Sequence, residues 1–166
     1  MSILIAFPLF AFLTIVQSVI VSRFPLLNGS TDLVLLTLIA WALQKRVRTA
    51  WHWCVIGGGM ISYVSALPTG VPLGGYLLVV GMAQLLRRRV WQVPILAMLA
   101  TTFLGTLLSQ LISLLALSLV GASISILEAI NLVILPSLLL NLLFSIPVFA
   151  IFSDMASWLY PEPLEV

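Results

Sequence analysis

Charge is what this sequence lacks most. Lysine, arginine, aspartate and glutamate make up 7% of the 166 residues, where soluble domains carry about 25%. With 62% of residues hydrophobic, the chain has too little polar surface to cover a water-soluble domain, and lipid is the solvent this composition asks for. Histidine occurs once, as His52 in "WHW" beside a basic cluster. One histidine does not make a metal site, and no Ser-His-Asp set can be assembled around it; anchoring at an interface accounts for it. Cysteine also occurs once, at Cys54, so no internal disulfide forms and the compartment is not indicated. Paired acids, H-E-x-x-H and a phosphate-cradling glycine loop are all missing. "GGGM" at 57–60 lacks the strand–turn–helix context of a nucleotide loop and reads as close helix contact. The net charge of +2 comes without a basic stripe interleaved with aromatics, which argues against nucleic acid. Neither catalysis nor a cofactor or metal is expected.

What is present is apolar sequence in long runs. A helical span needs about 20 apolar residues, with roughly 17–25 tolerated. The runs read as an all-α integral membrane protein of one domain, residues 1–166, with six transmembrane helices at about 3–22, 32–44, 50–67, 73–86, 93–120 and 130–152. The first run has neither a Lys/Arg start nor a convincing small-x-small cleavage site, and reads as a retained span rather than a removed signal. The second is short, and spans only if its ends thin the bilayer or sit inside protein.

The basic residues orient this arrangement. Lys45, Arg46 and Arg48 fall between the second and third runs, and Arg87, Arg88 and Arg89 between the fourth and fifth. With six spans both clusters share a side, and only Arg23 lies opposite. The positive-inside rule makes that side, and both termini, cytoplasmic. Trp41, Trp51, Trp53 and Trp91 flank the clusters and are expected as anchors at headgroup depth. "LPTGVPLGGY" at 67–76 is then an outward turn. Pro68 and Pro72 remove backbone donors, while Gly70 and Gly74 permit positive φ or close backbone approach. The turn is either plainly exposed or partly buried and shaping a cavity.

Small and polar residues recur at four-residue spacing, which keeps them on one helix face: Thr14, Ser18 and Ser22; Gly58, Ser62 and Ala66; Ala97, Thr101, Gly105, Ser109 and Ser113; Ser137, Asn141 and Ser145. Spans associate through such faces by close packing and a few hydrogen bonds, so these faces are expected to point into the bundle or, above all on the fifth span, to meet a partner. Asn141, bracketed by Pro136 and Pro147, is expected either to satisfy backbone groups freed by proline or to hold a neighbouring helix. Asp32 and Glu128 open the second and sixth spans, where a carboxylate caps backbone donors and meets the positive helix end. Asp154 closes the sixth span, where snorkelling suffices. "NGS" at 28–30 matches an N-glycosylation acceptor, which means something only in a pathway with that machinery.

Three stretches carry a family resemblance: "TDLVLLTLIAWALQKR" at 31–46, "GGGMISYVSALPTGVPLGGYLL" at 57–78, and "LPSLLLNLLFSIPVFAIF" at 135–152. They resemble the MreD family's Pro-Asp-Leu opening of a short leucine-rich span, its glycine-containing span running into a Pro-Leu-Gly turn, and its last span with Pro-then-Asn spacing. Thr31 replaces the usual proline, Ala66 stands where an acid is often found before the turn, and Asp154 stands where arginines often close the last span. The resemblance implies a six-helix bundle similar to the S components of energy-coupling-factor vitamin transporters. It also implies a docking partner, the bitopic protein MreC. The wider company would be a polymerising glycosyltransferase, a class-B penicillin-binding transpeptidase and MreB. The implied role is a non-catalytic scaffold or regulator of the elongasome that makes sidewall peptidoglycan in the bacterial cytoplasmic membrane, offering a groove or small-residue face to the MreC span. The alternative is a small-molecule-binding S component itself. Such components dock their energising partner through alanines four apart; here Ala6 and Ala11 are five apart and interrupted by Pro8.

Overall fold

The computed structural model describes residues 2–20, 29–89, 93–122 and 125–161. Among them every regular element is helical: α1 (Ser2–Ile20), α2 (Leu33–Leu43), α3 (Ala50–Val64), α4 (Val71–Arg89), α5 (Pro94–Leu119) and α6 (Ile126–Leu159). The last two are long and apolar enough to cross a membrane. α6 is a single run containing one wide turn: α-helix at Ile126–Ala129, a π-helical turn at Ile130–Ile134, and α-helix again from Leu135. The wide turn comes directly before Pro136. A proline ring collides with the carbonyl four residues back in an ordinary α-helix, and the π register, with Leu135 N–H bonded to the carbonyl of Ile130, removes that collision.

α2 is the hub. It is apolar on every side, and every residue from Val34 to Leu43 is buried. A helix hydrophobic all round belongs in a core, and the other five helices all pack against it. Beside it, α3 runs back along α4, and α4 along α5. Gly58 of α3 sits against Leu73, where an added Cβ would come within 3.2 Å of the Leu73 Cα. At the end of the bundle where α2 finishes, Trp41 stacks on Trp53 of α3 at 4.1 Å and 19°, and Phe10 of α1 meets Trp53 edge-on at 5.7 Å. Both tryptophans are 0% exposed, which corrects their expected place as interfacial anchors. The apolar surround of α2 leaves no edge for them to reach. Trp51 remains on the surface at 44% exposure; Trp91 lies outside the described residues.

Several boundaries differ from the sequence expectation. α4 starts at Val71 and includes Arg87, so "RRR" ends the helix instead of following it. The turn between α3 and α4 therefore closes at Gly70, whose φ of +92° suits glycine. Pro72 lies buried in the first turn of α4, where a missing N–H costs nothing. Gly74 is exposed and has open space where a Cβ would go, so close approach does not explain it. On α1 the buried face is Ala6, Phe10 and Thr14, and the expected continuation through Ser18 turns outward. Ser22, Arg23 and Asn28 lie outside the described residues.

Candidate functional site

Polar groups gather at the two ends of α2, because a short buried helix exposes unbonded N–H groups at one end and carbonyls at the other. At the N-terminal end Asp32 is the cap: its Oδ1 accepts from Leu35 N at 2.9 Å. Its Oδ2 accepts from the Tyr76 hydroxyl of α4 at 2.6 Å. The Asp32 backbone N–H donates to Asn141 Oδ1 on α6 at 2.9 Å. The Asn141 amide donates in turn to Thr106 Oγ1 on α5 at 3.0 Å. Ser30 N–H donates to Ser137 Oγ at 3.0 Å, and Gln17 Oε1 of α1 accepts from Val34 N at 3.4 Å. One seam thus ties α1, α4, α5 and α6 to the start of α2. Of the two roles open to Asn141, this geometry is the holding of neighbouring helices.

The opposite end of α2 is closed by Arg87. Its Nη1 donates to the carbonyls of Ala42, Gln44 and Val47 at 3.3, 2.8 and 3.2 Å. A cation on carbonyls at a helix C-terminus also offsets the negative end of the dipole. These bonds place "RRR" directly against the "KRVR" turn, so the two basic clusters share one end of the bundle. Arg46 Nη1 reaches the Tyr160 carbonyl at 3.2 Å, which brings the end of α6 there too. Ile3 of α1 meets Trp51 and His52 around a shallow hollow at the same end.

Most of the small-residue faces are consumed inside the chain, though Ala66 at the end of the α3 stripe is exposed. Thr101 is buried and bonds back to the Ala97 carbonyl. Gly105 is buried where an added Cβ would come within 2.7 Å of Val79 Cγ1 and 3.4 Å of Ile39 Cδ1. Ser109 faces Gly75 of α4, Ser113 bonds to the Ser109 carbonyl, and Ser62 to that of Gly58. Gly105 and Ser109 of the fifth-span stripe are therefore α4 contacts, while Ser113 lines an open groove. Gly105→Leu is expected to lower the thermal stability of the purified chain by about 1–3 kcal/mol through overpacking against Val79; an unchanged melting curve would remove Gly105 from the α4–α5 contact.

Glu128 stands exposed in the first turn of α6, but the cap position is Ser125 and no side-chain cap bond is made there. This corrects the expected capping role. Glu128 instead lines a groove of about 280 Å³ between α5 and the π-helical turn, with Gln110, Ser113, Leu117, Leu132 and Val133. Among the described residues no group of three His, Cys, Asp or Glu is placed to hold a metal ion.

Comparison with protein-family models, with curated proteins and with solved structures finds no match to this chain. The site must therefore be read from its own geometry. Sequence reasoning missed two of its members. In the sequence Gly29 stands only as the middle of "NGS" at 28–30, yet it is wedged against Pro136 and Ser137. Arg87 counted only as a topological charge. Its signal was position: the first of three arginines, the one nearest the apolar part of α4.

Proposed function

We propose that this chain is a polytopic protein of the bacterial cytoplasmic membrane, with both ends on the cytoplasmic side, acting as a non-catalytic scaffold of the MreD type. The observation that carries the reading is the convergence at α2. Asp32, Tyr76 and Asn141 come one from each of the three stretches that resemble MreD, and they are hydrogen-bonded to one another or share Asp32. Two further features support membrane residence. The basic clusters share an end, as the positive-inside rule requires of cytoplasmic loops. The outer flanks of α5 and α6 expose large apolar side chains such as Leu96, Leu111, Leu139 and Leu143.

With most of the small-residue faces already occupied, the docking surface for an MreC-like single span is the groove between α5 and the π-helical turn, where Ser113 ends the fifth-span stripe. Through that partner the chain would join the glycosyltransferase, the class-B transpeptidase and MreB. The test has two parts. Single cysteines at Lys45 and Arg88, in a Cys54→Ala background, should both be labelled from the cytoplasm only; labelling from opposite sides overturns the topology. Co-purification in mild detergent should recover a single-span coiled-coil protein, and Leu117→Trp, filling the groove, should abolish recovery while leaving the melting curve in place. Recovery of a vitamin and no such protein would favour the transporter alternative.

A further inference from the structure

The groove between α5 and the π-helical turn carries polar groups at its two ends and apolar side chains between them. α5 packs on the part of α6 from Leu135 onward; before that point the groove lies between the two helices. From α5 the groove takes Gln110, Ser113, Leu114 and Leu117, which share one helix face. The chain turns back between Leu119 and Ile126. Glu128, in the first turn of α6, therefore lies toward Leu117, and Ile134 lies toward Gln110. Gln110 and Ser113 mark the inner end and Glu128 the outer end, with Leu114, Leu132 and Val133 between. Gln110 and Leu117 are separated by about 10 Å along the helix.

Both ends offer acceptors. The Ser113 hydroxyl donates to the Ser109 carbonyl, and its oxygen can still accept. Among the described residues the Gln110 amide and the Glu128 carboxylate have no hydrogen-bond or ion-pair partner. Every described lysine and arginine belongs to the two clusters at the opposite end of the bundle, so a second copy in the same orientation brings Glu128 no described cation. On the membrane reading the occupant of the groove is a helix, because a single segment in lipid satisfies its backbone in no other way. Apolar contact alone selects poorly there, since lipid tails are as apolar as leucine. Charges at the edge of a contact set the choice and register of the partner.

We propose that the helix docked in this groove comes from a different chain and carries a hydrogen-bond donor facing Gln110 and Ser113 and, about seven residues nearer its outer end, a lysine or arginine facing Glu128. The groove as a docking site is the reading given above; the pattern on its occupant goes beyond it.

The probes are three synthetic spans of about 20 leucines and alanines. Each carries one threonine and, about two turns away, a lysine, a glutamine or a glutamate. Fluorescence anisotropy reads their binding to the full purified chain in nonionic detergent. The lysine span should bind about fivefold more tightly than the glutamine span, and the glutamate span least tightly. Glu128→Gln should erase the gap between the lysine and glutamine spans. Glu128→Lys should reverse the order, so that the glutamate span binds best, at an unchanged melting curve because Glu128 is exposed and makes no cap bond. Moving the lysine next to the threonine should remove its advantage. A charge preference that ignores Glu128, or that survives Leu117→Trp, overturns the inference. Equal binding of the three spans, all lost in Leu117→Trp, overturns it too but leaves the groove a docking site. No binding by any span overturns both, and the labelled topology would still stand.

Discussion

Trp53→Ala is expected to destabilise the chain by about 3–5 kcal/mol, the range for truncating a buried aromatic. Trp53 joins three helices: its ring lies flat on Trp41 of α2 and receives the edge of Phe10 from α1. Removing it leaves a void beside Trp41 and Phe10, both fully buried, at the end of the bundle where α2 finishes. Thermal unfolding of the purified chain checks this, with Trp51→Ala as the companion. Trp51 lies two residues away but is 44% exposed, and surface substitutions usually stay within about 0.5 kcal/mol. If both residues were interfacial anchors, the two variants would behave alike. Trp53→Phe should lose less than Trp53→Ala. It keeps a ring in the stack and drops the indole N–H, which has no hydrogen-bond partner.

Gly29→Ala should have the second large effect, about 2–5 kcal/mol, combining overpacking with the loss of hydrogen bonds. A Cβ at this position would stand 2.5 Å from Pro136 Cβ and 2.7 Å from Ser137 N. Neither atom can swing aside, so the backbone of the 29–32 segment must lift off α6. Lifting it breaks Ser30 N–H to Ser137 Oγ and Asp32 N–H to Asn141 Oδ1, and the start of α2 loses its anchor. The control is Gly59→Ala. Gly59 lies inside α3 with open space around its Cα, and alanine there should stabilise by up to about 1 kcal/mol through helix propensity. Opposite signs in denaturation for these two substitutions would separate contact from backbone preference; equal signs would deny the wedge.

Much of this architecture was legible because charge is scarce. With so few ionisable residues, each one is informative: Asp32 before a leucine run reads as a cap, and the two basic clusters read as neighbours at one end. Helix starts and stops were legible to within a few residues, except at the end of the sixth run, where α6 continues past 152 to Leu159 and takes in Asp154, expected to close that span. The seam was legible only in part. Asn141 stood out as an amide among leucines, but its partners lie more than 30 residues away in sequence, and no local pattern names them. The tryptophans were misplaced because position near a basic cluster was weighed, and the uniform apolarity of "LVLLTLIAWAL" was not. A helix with no polar face has no side on which to put an anchor. Gly29 and Gly70 look alike in sequence; only one needs its missing side chain for contact.

The shortness of α2 bears on how such a molecule is made. At 11 residues it is about 16 Å long, roughly half the hydrocarbon thickness of a bilayer. It cannot stand alone in lipid with both ends satisfied. The groups that close those ends, Arg87 and Asn141, emerge from the ribosome tens of residues later. On the membrane reading, α2 is therefore delivered early and completed late, and during that interval it needs shelter at the translocon or from an insertase. Slowing translation between α2 and α6 should make this protein dependent on that help.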